Sequence, residues 1–150
     1  MAVVTVADVL KEAERFEHML RDYYARVSER TTREGVRLLA DYMSRHRARI
    51  AEALDRLSGA QVRRIFLAPL RYQPQDADGP RLGSVELPRQ ATAAEVLDAA
   101  IAFDECLIRL YRQVVRQPVD QEVKELFESL IRREERDEIE LKKIKAMDYF

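Results

Sequence analysis

Tryptophan is absent from this chain and cysteine occurs once. A single thiol excludes an internal disulfide framework and any Cys-rich zinc or iron–sulfur site. Four glycines and five prolines in 150 residues leave few places to break a helix, so the composition leans towards helix. Excess charge of either sign is missing too. With 26 Lys+Arg against 27 Asp+Glu the net charge is −1, so bulk electrostatics recruits neither nucleic acid nor an anionic membrane. No apolar run approaches the roughly 20 residues of a membrane span, and the N-terminus lacks a basic-then-apolar signal pattern. The expectation is a cytoplasmic protein without membrane or nucleic-acid partners. Its 47% hydrophobic and 35% charged residues suit a folded chain with a real core, and the length suits one domain, 1–150.

Four long segments carry apolar residues at helical spacing, at about 5–30, 32–57, 92–116 and 120–147. Thr5 with Asp8, Thr31 with Glu34, and Thr92 with Glu95 each place a hydroxyl three residues before a carboxylate, the pattern of a capping box. Pro118 and Asp120 mark the fourth start. The joints near Arg30 and near Pro118 span only a few residues, so each pair of helices must lie antiparallel. Between the hairpins at 5–57 and 92–147 runs a crossover, 58–91, with four of the five prolines. Its apolar stretch at 65–70 predicts packing along the bundle. The fold class predicted is all-α, a four-helix bundle of two antiparallel hairpins joined by a long crossover. Phe16, Glu17, Leu20, Tyr24 and Val27 recur as Phe103, Asp104, Leu107, Tyr111 and Val114, each offset by 87 positions. Helices two and four match more weakly at an offset of 91, with His46 opposite Asp137. The chain reads as a duplicated helical hairpin.

Each apolar stripe is interrupted near its middle by an ionisable residue. Glu17 interrupts the first, His46 the second, Asp104 the third, and Glu134 with Asp137 the fourth. Glu17 and His46 are equidistant from the first turn, as Asp104 and Glu134 are from the second, so all should share one level of the bundle. A buried carboxylate without a partner costs several kcal/mol, so such a group requires partners, water or a cation. A divalent metal would satisfy several at once, and oxygen with imidazole ligands suits iron, manganese or zinc.

The pattern resembles the ferritin-like superfamily, in particular rubrerythrin-type bundles with a di-iron carboxylate site. That pattern has a Glu on helices one and three with a Tyr seven residues later, and Glu-x-x-His on helices two and four. Glu17 with Tyr24 fits fully, and Asp104 with Tyr111 fits with a shorter carboxylate. In helix two His46 is kept while Met43 replaces the glutamate. In helix four Glu134 is kept while Asp137 replaces the histidine. The resemblance implies that Glu17, His46, Asp104, Glu134 and Asp137 hold iron or manganese, with oxygen or peroxide as reactant. The missing bridging glutamate points to a mononuclear or loosely held ion. No rubredoxin-like cysteine module accompanies it.

The competing reading is a structural or interaction bundle whose site has decayed and which binds no metal. There His46 pairs with Glu17 or Glu134, and Arg or Tyr groups satisfy the rest. Tyr24 and Tyr111 are expected as core fillers, His18 as exposed, and Cys106 as an inert thiol away from the core line. The charge layout, nine basic and four acidic residues over 30–64 against four and nine over 118–140, suits solvated helix faces or contact between copies. A homo-oligomer, a dimer foremost, is the expected assembly.

Overall fold

The structure, a computed structural model, describes residues 4–59, 63–71, 74 and 90–147. Its elements are α1 (Val6–Arg30), α2 (Glu34–Gly59), the one-turn α3 (Arg63–Phe66), α4 (Ala93–Val115) and α5 (Gln121–Met147). The four long helices form the predicted bundle. No described helix is long and apolar enough to cross a membrane.

The caps explain where the helices begin. Thr5 Oγ1 accepts from the Asp8 amide while the Asp8 carboxylate accepts from the Thr5 amide, and Thr92 with Glu95 repeats this reciprocal box on α4. Thr31 behaves differently from the expectation. It closes α1, its amide donating to the Val27 carbonyl at 3.0 Å, and its hydroxyl accepts from the Arg33 amide at 3.1 Å. The joint therefore uses Thr31 as a turn residue, and α2 starts at Glu34. Ser28 Oγ to Asp41 at 2.5 Å and Ser44 Oγ to the Arg21 carbonyl at 3.0 Å then fasten α1 to α2.

The crossover closes one end of the bundle. Val6 donates to the Ala68 carbonyl at 3.0 Å and Leu70 to the Val4 carbonyl at 2.8 Å, so residues 68–70 lie against the start of α1. Phe66 and Leu70 are buried beneath it. The Arg71 amide donates to Gln117 Oε1 at 2.7 Å, tying the same segment to the α4–α5 joint. The end of α4 thus meets the start of α1, and these helices run antiparallel. The rest of the crossover, 72–73 and 75–89, lies outside the described residues, as do 1–3, 60–62 and 148–150.

The core is continuous through all four helices. Edge-to-face rings join α1 to α4 (Phe16 and Tyr23 against Phe103) and α4 to α5 (Tyr111 against Phe127). Tyr24 and Tyr111 are fully buried, as core fillers should be. His18 is half-exposed beside Glu14. Cys106 departs from the expectation: it is buried. The covered sector of α4 is broad enough to take Phe103, Cys106 and Leu107 together, because the helix is enclosed on more than one side.

Candidate functional site

Three of the five predicted site residues meet at the centre, and the fourth participant there is Arg47. Glu17, Asp104, Glu134 and Arg47 are each at most 1% exposed. Arg47 Nη1 donates to both oxygens of Glu17 at 3.1 Å and reaches Glu134 Oε2 at 3.5 Å. Its Nη2 donates to Asp104 Oδ1. One planar guanidinium from α2 therefore binds a carboxylate from each of α1, α4 and α5, the fixed-fork geometry for which arginine is suited.

His46 is placed elsewhere. It does not pair with Glu17 or Glu134; its Nε2 lies 3.0 Å from Asp137 Oδ2 on the flank between α2 and α5. The imidazole stacks on the Tyr42 ring, at 6.1 Å between centroids. His46 and Asp137 are partly exposed, at 26% and 22% of their side chains. A narrow cleft with about 30 Å³ of open space, room for a single water, runs from Tyr42 and His46 to Arg47 and Asp104.

Arg47 was legible in the sequence. The buried positions of α2 include Val36, Ala40, Met43, Arg47, Ile50 and Leu54, alternating steps of four and three without a break. His46 fits an equally regular series through Leu39, Met43 and Ile50, so the spacing alone admits either residue. What favours Arg47 is the offset of 87 that relates helices one and three: carried to helices two and four in place of the weaker 91, it pairs Arg47 with Glu134 (134 − 47 = 87) as it pairs Glu17 with Asp104 (104 − 17 = 87). The centre has an approximate twofold pattern in which one matched position carries opposite charges.

Burial dominates the electrostatics. It raises the Glu17 carboxyl to about 7 against the opposing pull of Arg47, and raises Asp104 to about 8 in the same way. Glu134 is raised by the same cause. For Arg47 burial works against the charge, but Glu17, Asp104 and Glu134 outweigh it and hold the guanidinium above its ordinary value. Three acids around one base cannot all ionise cheaply, so the cluster retains protons near neutrality. Asp104 Oδ2, Glu134 Oε1 and the hydroxyls of Tyr24 and Tyr111 are buried without a hydrogen-bond partner among the described residues.

A di-iron centre does not fit these residues. The space the three carboxylates enclose holds a permanently charged guanidinium, which both fills it and repels a second cation. Met43, buried beside it, offers a thioether where the family pattern has a hard carboxylate. Among the described residues no group of three or more His, Cys, Asp or Glu side chains is arranged to hold a metal ion.

The helix order, the crossover and the mid-height ring of ionisable groups define a ferritin-like four-helix fold. Consistent with that class, the chain is similar over its length to the crystal structure of a proposed ferritin-like diiron-carboxylate protein from Thermotoga maritima. The TM-score is 0.69 with 20% sequence identity, covering 97% of each chain. No protein-family model matches, and no curated protein matches the sequence.

Proposed function

We propose that this protein is a metal-independent ferritin-like bundle without redox catalysis, acting as a structural or interaction module. The supporting observation is the Arg47 guanidinium, which hydrogen-bonds Glu17, Asp104 and Glu134 in the interior. A fixed cation supplied by the chain does what a metal would do for these carboxylates, offsetting the cost of their burial. It does so without open coordination positions, so neither oxygen nor peroxide has a metal on which to bind. The partly exposed His46–Asp137 pair is then a surface tether between α2 and α5.

Metal analysis tests this. Protein purified without chelator and incubated with ferrous or manganous ion should retain less than about a tenth of an equivalent after desalting. Stoichiometric iron or manganese that Glu17→Ala abolishes would overturn the reading.

A further inference from the structure

The α2–α5 face carries arginines outside the hydrogen bonds of the central cluster, although the charge of Arg133 also reaches Glu17 and Glu134. The register between these antiparallel helices is set by Arg47 against Glu134 and His46 against Asp137. Arg45 and Arg136 immediately precede the two members of the second pair, and both turn outward from it. Arg49, one turn beyond Arg45, is level with Arg132 and Arg133, one turn before Arg136. Four of the five arginines are exposed and Arg133 is partly so. None of them makes an ion pair or hydrogen bond with another described residue. Glu140 lines the His46 cleft beside Tyr42, Glu52 follows Arg49 by three residues, and Asp137 is engaged by His46, so five arginines against these acids leave a surplus of positive charge although the chain as a whole is near neutral.

Along the same α2 stripe, at the end next to Arg45, sit Leu38 and Tyr42, exposed at 57% and 45%. Apolar and basic residues are therefore separated along the helix axis. A helix lying on a lipid surface has an apolar stripe flanked by basic residues along its length, which is not the order here. A nucleic-acid backbone would use the arginines and leave Leu38 without a role. Self-association through this face would set the arginine cluster against itself, which like charges oppose.

We propose that the outer α2–α5 face docks an acidic amphipathic segment of another protein, with an apolar anchor on Leu38 and Tyr42 and carboxylates on Arg45, Arg49, Arg132, Arg133 and Arg136. This names the partner class for the interaction module proposed above and rests on that reading.

The probe is a fluorescent helical peptide of about 20 residues with leucines at one end of a face and glutamates along the rest of it. Binding to the full chain is followed by anisotropy. The expected result is saturable binding that weakens about tenfold between about 50 and about 300 mM NaCl. Arg45→Glu with Arg136→Glu should weaken it at least about tenfold, and Leu38→Ala several-fold, with the helical circular dichroism of each variant unchanged. Absence of saturable binding overturns the proposal, as does indifference to Leu38→Ala. Tighter binding of a single-stranded oligonucleotide, or of phosphatidylserine vesicles, also overturns it and identifies the other partner class. Metal content is a separate readout. Metal uptake with peptide binding retained removes only the metal-free reading, and metal-free protein that ignores the peptide removes only the docking surface.

Discussion

Replacing Arg47 by methionine removes the cation while keeping a side chain of comparable length. Two hydrogen bonds to Glu17 and one each to Asp104 and Glu134 disappear. What remains is three carboxyl groups facing one another in an interior where each is at most 1% exposed. Breaking a buried ion pair from one side costs about 3–5 kcal/mol, because the abandoned charge must be neutralised or left unpaired. For a chain of this size each kcal/mol corresponds to about 2–4 °C, so Arg47→Met should unfold about 6–20 °C lower in a thermal scan followed by circular dichroism. The loss should shrink as pH falls below about 7, because Glu17 and Asp104 take up protons near 7 and 8 and then need less counter-charge. Arg47→Met combined with Glu17→Leu, Asp104→Leu and Glu134→Met, a wholly apolar centre, should recover most of the lost stability. An Arg47→Met protein within about 1 kcal/mol of the parent at neutral pH would refute the argument that the guanidinium holds the centre together.

Two further outcomes follow from the same structure. The carboxyls of Glu17 and Asp104 titrate near 7 and 8 in the folded protein against ordinary values of 4.5 and 3.8. The native state therefore holds more protons than the unfolded chain between these limits, and this contribution to stability is full below about pH 4 and lost as pH rises towards 8. Relative to a Glu17→Gln, Asp104→Asn variant, the parent should lose stability over that window in urea titrations; a constant or opposite difference contradicts the assignment. Phe66, 7% exposed, latches the crossover onto the bundle end, and Phe66→Ala should cost about 3 kcal/mol in urea unfolding. It should also speed hydrogen exchange at the Val6 and Leu70 amides, and unchanged exchange there would show that the latch does not depend on this ring.

The fold was readable because its signals are local and repeated. Apolar spacing, two capping boxes and two short joints suffice to specify antiparallel hairpins, and Phe66 with Leu70 packs where the apolar stretch of the crossover suggested. The site was readable on three helices, where a lone acid stands among Leu, Ala and Tyr. On α2 two adjacent ionisable residues, His46 and Arg47, competed for one inward position. A histidine signals chemistry and an arginine signals solvent, and the steps from Met43 and to Ile50 admit either, so only the offset of 87 that pairs Arg47 with Glu134 favours the arginine. Cys106 is buried off the main stripe for a related reason. A single stripe underestimates how much of a helix is covered when neighbours press on more than one side.

The two hairpins are near-copies in pattern but not in electrical terms. Two amino-terminal halves brought together about the same axis would pair two arginines with two glutamates and cancel. Two carboxyl-terminal halves would bring Asp104 and Glu134 twice over, four acids with nothing to neutralise them. The second half can therefore bury its centre only against the first, whereas the first could close on a sister copy. During synthesis the amino-terminal half emerges first, so its guanidinium is already present when the later acids arrive, and the polarity of the chain gives assembly a direction.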